Sequence, residues 1–174
     1  MPNSYSLLFM ASPVWHALLP TLIVRVFTKD IRYLILAFFA GAAPDIDGVF
    51  ILFRPDLYYT FHHELLHPIL VGVFFALIIS FILKKKFKMR YWASVAVFSF
   101  SWALHAITDV FTSSWYVRIF WPLIQDKFSF PAFSQIEYLI ALNLCISLLL
   151  FIISLWVFRK EINHFVKGFS RKKK

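Results

Sequence analysis

Long apolar runs separated by short charged segments dominate this chain and predict membrane-spanning helices. The runs 91–108 and 138–158 contain no Asp, Glu, Lys or Arg, and neither does 68–83. A helix needs about 20 apolar residues to cross a bilayer, with about 17 as a lower limit. We therefore predict an all-α integral membrane bundle of about five transmembrane helices, some of them short. The predicted helices are 13–27, 31–43, 67–83, 91–109 and 138–158.

The second predicted helix is shorter than the others. Gly41 and Pro44 are expected to end it, because glycine and proline are common helix terminators. Its uncharged stretch of about 12 residues measures about 18 Å, which is less than the ~30 Å of hydrocarbon in a bilayer. Asp45 and Asp47, which follow this helix, are therefore expected to lie in a recess that is reached from outside.

Basic residues are distributed unequally between the two ends of the predicted bundle. If the five helices alternate in direction, fifteen of the 18 Lys and Arg residues fall on one side of the bilayer and three on the other. This bias is what the positive-inside rule requires of a plasma-membrane protein, with the basic loops and the tail 159–174 in the cytoplasm. We therefore attribute the net charge of +9 to membrane topology and to contacts with anionic lipid head groups, and not to nucleic-acid binding.

The connection 113–137 mixes aromatic residues with prolines and charged residues. Trp115, Tyr116, Phe120 and Trp121 precede the charged Asp126-Lys127 pair, and such enrichment in aromatic residues is typical of the membrane–water interface. We predict that this segment lies flat, is partly helical and forms a lid or a lipid-facing mouth. By its length, the chain 1–174 is predicted to be a single membrane-embedded domain.

Histidine and aspartate side chains concentrate at one end of the predicted helices. Ionisable groups at membrane depth are costly and tend to be functional. Ser12 and Pro13 suit the N-cap and first position of a helix, so His16 falls in its first turn. At 1.5 Å per residue along their helices, His16, His67 and His105 lie about 14, 25 and 22 Å from Arg25, Lys84 and Arg90, in the outer half of the bilayer. Because these histidines lie at a similar depth in the bilayer, we predict that they contribute to one metal centre. Its predicted ligands are His16, Asp47, His62, His67, His105 and Asp109.

Two short motifs supply the carboxylates. His105 and Asp109 are four residues apart on a predicted helix, so they share a face and can reach one ion or two adjacent ions. A buried hydrogen bond between helices is the alternative for this pair. Residues 44–48 place two more carboxylates on a turn, as hard or borderline cations prefer. The alternative there is an Asx turn with a capping role.

Residues 63–67 spell His-Glu-Leu-Leu-His, which is the His-Glu-x-x-His pattern of zinc proteases with Glu64 as general base. That mechanism requires a helix that puts both histidines on one face. Pro68 follows directly, and proline disfavours the α conformation in the residue before it. We therefore place His67 at the start of the third helix, and His62 or His63 in the preceding loop.

These elements, in this order, resemble the YdjM-like family of membrane-bound metal-dependent hydrolases, also described as a LexA-regulated inner-membrane family. The family has an N-terminal His, a Gly-x-x-Pro-Asp-x-Asp turn, a His-rich segment, a His-x-x-x-Asp motif and an aromatic-Pro stretch. Matching positions here are His16, 41–47, 62–68, 105–109 and 121–129. His63 stands where the family has Arg, so His63 or Arg118 is expected to bind the substrate phosphate. The family is in turn distantly similar to zinc-dependent phospholipase C and P1-type nucleases.

The resemblance implies a hydrolase in a bacterial or archaeal inner membrane, with its site facing outward. It would hold one to three divalent ions, with zinc favoured over manganese or magnesium, and Asp45 or Glu64 would act as general base. A phospholipid or another lipid-linked phosphate ester is the expected substrate. The alternatives are an intramembrane zinc protease that uses His63, Glu64 and His67, and a non-catalytic metal-binding membrane protein.

Overall fold

The computed structural model describes residues 13–112, 116–130 and 136–161, and in these residues the fold is all-α, as predicted. The described chain has seven α-helices, and its one extended pairing is an antiparallel bridge between Val117 and Phe128. The five long helices lie where the sequence predicted them. The helices are α1 (Pro13–Phe27), α2 (Ile31–Ala42), α3 (Phe50–Phe53), α4 (Pro55–Phe61), α5 (Ile69–Phe87), α6 (Tyr91–Thr112) and α7 (Ile136–Val157).

The connection between α2 and α5 is more regular than predicted. After α2 the chain continues as a 3-10 helix, Ala43–Val49, followed by α3 and α4. Pro44 and Pro55 each stand in a first helical turn, where the missing N–H of proline costs no intrahelical hydrogen bond. Ile31–Phe53 is therefore one helical stretch of 23 residues. The prediction that the second helix is too short to cross a bilayer is wrong, because the backbone stays helical beyond Pro44.

Two helical stretches of the described residues are long and apolar enough to cross a membrane, namely Ile31–Phe53 and Tyr91–Thr112. The apolar stretches Val14–Phe27 and Ala141–Val157 are shorter. Many large apolar side chains point outward, and Leu52, Phe74 and Leu144 are each at least 60% exposed. Such a surface is typical of helices that face lipid.

The long helices pack closely through small residues. α2 lies between α1 and α6, α5 packs along α6, and α7 packs against α1. Ala37, Ala40 and Ala76 are completely buried, which lets backbones approach as they do in membrane proteins. At the α5–α6 contact, a Cβ on Gly72 would lie 2.3 Å from Cγ of Trp102, so only glycine leaves room for this indole.

The helices alternate in direction, so their connections collect at two ends. At one end Arg25 on α1 forms an ion pair of 2.6 Å with Glu161, and Arg32 on α2 donates to the carbonyl oxygen of Phe87 at 3.1 Å. Asp30 caps α2 there, and its hydrogen bond from the Arg32 side chain lowers the pKa of the Asp30 carboxyl. We call this the basic end. The opposite end, where α1 and α5 begin and α2 and α6 finish, is the site end.

Candidate metal centre

Side chains from four parts of the chain meet at the site end. His16 belongs to the first turn of α1, and Asp45 to the 3-10 helix after α2. His67 immediately precedes Pro68, the N-cap of α5, and His105 and Asp109 lie one turn apart on α6. The sequence separates these groups by up to about 90 positions, and only the alternating helices bring them together. All three histidines are at most 1% exposed.

Four of these side chains, Asp45, His67, His105 and Asp109, form the most compact group, which we call the tetrad. Nε2 of His105 lies 3.4 Å from Oδ1 of Asp45, 3.0 Å from Oδ2 of Asp109 and 3.2 Å from Nε2 of His67. Nε2 of His67 lies 3.6 Å from Oδ1 of Asp45 and 3.2 Å from Oδ2 of Asp109. Tetrahedral zinc with ligands at about 2.0–2.1 Å needs ligand atoms about 3.3 Å apart. The two imidazole nitrogens and their contacts with each carboxylate therefore have the spacing of ligands around a zinc ion.

A hydrogen bond behind the imidazole of His105 decides which nitrogen faces the tetrad. Nδ1 of His105 lies 2.6 Å from the carbonyl oxygen of Gly41. A carbonyl oxygen can only accept, so Nδ1 carries the hydrogen, and Nε2 of the neutral ring presents its lone pair to two carboxylates. These groups repel one another unless a proton or a cation lies between them. Histidines that bind metals are held in this way by a carbonyl or carboxylate behind the ring.

His16 shows the same arrangement on α1. Oγ1 of Thr108 lies 3.2 Å from Nδ1 of His16, and the Thr108 hydroxyl donates to the carbonyl of Leu104 or His105, so its oxygen is left to accept. Nε2 of His16 then faces Oδ1 of Asp109 at 3.1 Å. One carboxylate oxygen of Asp109 thus faces His16, and the other faces the histidines of the tetrad. A carboxylate that bridges two ions would have this arrangement.

Gly41 allows α1, α2 and α6 to converge on this centre. A Cβ at this position would lie 2.3 Å from the carbonyl oxygen of His16 and 2.7 Å from Cγ of Pro20. Proline has no N–H, so Pro20 cannot donate the usual helical hydrogen bond to the His16 carbonyl. The backbone of α2 occupies the space beside that carbonyl, and only glycine permits it.

The histidine segment after α4 is a loop. α4 ends at Phe61 and α5 begins at Ile69, so His62, His63 and His67 all lie in this loop. His67 precedes the N-cap Pro68, next to the helix start where it was expected. His63 has φ of 65°, in the left-handed region that few residues other than glycine adopt. The His-Glu-x-x-His residues consequently share no helix face, and the geometry that the zinc-protease alternative requires is absent from this described segment.

Two further features concern the histidines of this loop. Nδ1 of His62 lies 3.0 and 3.1 Å from the two carboxylate oxygens of Asp47. Burial, with the neighbouring His67 imidazole, holds the pKa of His63 well below its usual value. A histidine with such a pKa is neutral at pH 7, which is the form that binds a metal ion.

Comparison with known proteins agrees with this architecture. The profile of the YdjM inner membrane protein family matches residues 10–167. The chain belongs to this family. The resemblance inferred from the spaced His and Asp motifs is therefore confirmed, and with it the membership of an inner-membrane family. Neither the search of curated proteins nor the search of solved structures found a match.

Within this YdjM-family chain, the two carboxylates of the Asp-x-Asp turn have different surroundings. Asp45, which we expected to be a general base, lies among the tetrad donors, and Asp47, which we expected to be a ligand, contacts His62. The two-residue spacing in the sequence cannot show which of the two carboxylates faces α6, because this depends on the path of the 3-10 helix. The sequence did not indicate that Thr108 supports the centre, and Gly41 was expected only to end a helix and to belong to the Asp-x-Asp turn. The position of Thr108 between His105 and Asp109 is the one sequence signal that could have indicated its role.

The remaining predicted residues, Glu64 and Arg118, lie beside the loop and face each other. Oε1 of Glu64 is 3.4 Å from Nη2 of Arg118 and accepts a hydrogen bond of 3.3 Å from the hydroxyl of Tyr116. The backbone N–H of Arg118 donates to the carbonyl of His63 at 3.5 Å. Residues 116–130, which contain no helix, therefore cover the histidine loop. The expected partly helical character does not apply to this described part of 113–137.

We expect Thr108→Val to weaken metal binding, because valine keeps the shape of threonine but cannot accept the hydrogen bond from Nδ1 of His16. Losing such a hydrogen bond behind a ligand typically lowers metal affinity about 10- to 100-fold. Competition against a chromophoric chelator measures this with detergent-purified protein. Thr112→Val is the matched control, since Thr112 donates to the carbonyl of Thr108 one turn farther along α6. Equal affinities in the two variants would contradict the role of Thr108.

Proposed function

We propose that this chain is a membrane-bound, metal-dependent hydrolase that acts on a phosphate ester. The observation that carries the proposal is the tetrad, in which two imidazole nitrogens lie 3.2 Å apart and each lies 3.0–3.6 Å from an oxygen of both carboxylates, inside an apolar bundle. Structural helix contacts do not need two carboxylates and two histidines at one point. A divalent cation would give all four donors a partner and would balance the two negative charges.

The donor set fits zinc best among the common ions. Imidazole suits zinc, copper, iron and nickel, whereas magnesium and calcium prefer shells of oxygen. Asp45, His67, His105 and Asp109 would hold this ion, and His16 with the second oxygen of Asp109 could bind a neighbouring one. A bound ion of this kind lowers the pKa of a coordinated water and polarises the scissile bond.

Residues at the mouth of the centre supply groups for a phosphate and for a proton. Arg118 is partly buried, and its Nε has no hydrogen-bond partner among the described residues. A guanidinium fork suits phosphate oxygens, so Arg118 would orient the substrate, with His63 close by. Because Asp45 lies among the metal donors, Glu64 is the carboxylate best placed to accept a proton, and its contacts with Arg118 and Tyr116 hold it at the mouth.

A lipid substrate suits the surroundings of the centre. Ile46 and Leu52 near the tetrad and Leu123 in the covering segment are each at least 69% exposed. Such side chains would lie among acyl chains or lipid head groups, and they surround a polar centre with a lipid-compatible rim. A phospholipid or another lipid-linked phosphate could therefore place its head group at the centre while its tails remain in the bilayer.

We further propose that α1, α2, α5, α6 and α7 all cross the membrane, with the basic end in the cytoplasm and the centre facing outward. The charge bias supports this orientation. In a Cys145→Ser background, which removes the natural exposed thiol, we expect Gln125→Cys, at an exposed polar position of the covering segment, to react with an impermeant maleimide in intact spheroplasts. Lys86→Cys, at the basic end, should react only after the membrane is opened. The reverse labelling pattern would contradict the orientation.

The hydrolase itself is tested by metal content and activity together. We expect the purified protein to contain zinc and to release phosphate or a phosphorylated head group from at least one member of a phospholipid and lipid-phosphate panel. Asp109→Ala should lose both zinc and activity, because its carboxylate contacts His16, His67 and His105. Glu64→Ala should keep the zinc and lose at least about 100-fold in rate, the scale of a positioned general base.

Other outcomes distinguish the alternatives. Stoichiometric zinc without hydrolysis of any panel member would favour a non-catalytic metal-binding protein. Cleavage of peptides that depends on Glu64 would favour the protease. A wild-type protein that binds no metal even after incubation with zinc would contradict the proposal altogether.

A further inference from the structure

The three histidines of the loop after α4 pack against one another beside the tetrad. Their ring centroids are 4.1 Å apart for His62–His63, 4.4 Å for His63–His67 and 4.9 Å for His62–His67. One nitrogen of each ring lies within 4.8 Å of the others, and all three residues are at most 4% exposed. We propose that these histidines, the histidine trio, form a further metal position, separate from those at the tetrad and at His16, with no carboxylate among its ligands. This inference builds on the proposed metal centre, with which it shares His67.

Asp47 prepares His62 for this role. Its carboxylate is buried and contacts Nδ1 of His62 through both oxygens, at 3.0 and 3.1 Å. A carboxylate accepts the Nδ1 hydrogen, which leaves Nε2 as the nitrogen that offers a lone pair. A carboxylate behind the ring is the usual support of a metal-binding histidine, and it raises the basicity of the ligand. The structure thus assigns Asp47 as a positioning residue for His62.

The backbone at His63 brings the second ring to the same place. Consecutive side chains of an extended segment point in opposite directions. Here φ of 65° at His63 turns the chain, and its ring stacks obliquely on that of His62 with an interplanar angle of 34°. Hydrogen bonds from Glu64 N to the Phe61 carbonyl and from Arg118 N to the His63 carbonyl hold this turn. The uncommon conformation gathers two adjacent imidazoles into one buried space.

His67 can serve both positions as a bridging imidazolate, which forms when its ring N–H proton is released to solvent on metal binding, because its two ring nitrogens face different groups. Nε2 faces Asp45 and Asp109 in the tetrad. Nδ1 is buried and has no hydrogen-bond partner among the described residues. A buried imidazole nitrogen without a partner is costly, so this atom is a further sign that the loop is incomplete without a cation.

The chemistry of the two positions differs. The tetrad offers two carboxylates and two imidazoles, which suit manganese as well as zinc, whereas the trio offers imidazoles alone, which suit zinc, copper and nickel. The double charge of an ion in the trio would be offset by the shared imidazolate of His67, by Asp47 behind His62, and by Asp109, whose Oδ2 lies 3.8 Å from Nε2 of His63. Three protein ligands also leave a coordination position open, as catalytic zinc sites do.

This difference makes the trio testable by counting ions in tag-free, detergent-purified protein loaded with zinc or with manganese. We expect His63→Ala to bind one zinc per chain fewer than the wild type and the same amount of manganese. His105→Ala should lose its manganese. Leu65→Ala, an exposed position in the same loop, is the matched control and should keep both wild-type counts.

Size-exclusion profiles and thermal unfolding identify any variant that does not fold, and His63→Gln, which keeps more of the side-chain volume, then replaces His63→Ala. Equal zinc counts in the wild type and the His63 variants would overturn the trio, and loss of metal in His105→Ala would still support the tetrad. Loss of one zinc in His63→Ala, together with wild-type counts in His105→Ala, would support the trio and contradict the tetrad.

Discussion

Two carboxylates buried in an apolar bundle are the constraint on which the rest of this structure depends. The side chains of Asp45 and Asp109 are 10% and 4% exposed, and every ion pair that the described residues give them is with a histidine. Removing a carboxylate from water costs several kcal/mol unless a positive partner compensates. Neutral imidazoles do not supply that charge. A cation at their centre would supply it, and it would account for the second nitrogens of His105, His16 and His62, which contact a carbonyl, a hydroxyl and a carboxylate.

Close packing of the helix backbones makes this arrangement possible. Gly41 lets α2 touch α1 beside Pro20, and its carbonyl oxygen fixes His105 on α6. One glycine thus sets the distance between three helices and the orientation of a tetrad member. At the other end of the bundle, Arg25 interacts with Glu161, and Arg32 interacts with Asp30 and with the carbonyl oxygen of Phe87. The separation of acidic and basic groups gives the bundle a polarity along its axis.

The sequence was sufficient to predict the five long helices, because apolar runs bounded by charges and prolines define membrane helices well. It was also sufficient to predict that Pro68 excludes His67 from the preceding helix, since that effect is local. The path of 43–61 was not predictable, because short helices of this kind depend on tertiary packing. The sequence indicated that the His and Asp residues lie at a similar depth in the membrane, but depth does not show which of them lie side by side. Which carboxylate of the Asp-x-Asp pair reaches His105 depends on the turn of the 3-10 helix.

Zinc K-edge X-ray absorption of the zinc-loaded, detergent-purified protein tests the central claim most directly. The account predicts a first shell of nitrogen and oxygen only, at about 2.0–2.1 Å, with the multiple scattering of coordinated imidazole. This imidazole signal should decrease in His105→Ala. A shell that contains sulfur, a hydrated ion without imidazole, or no retained zinc at all would contradict a His/Asp metal centre at this position.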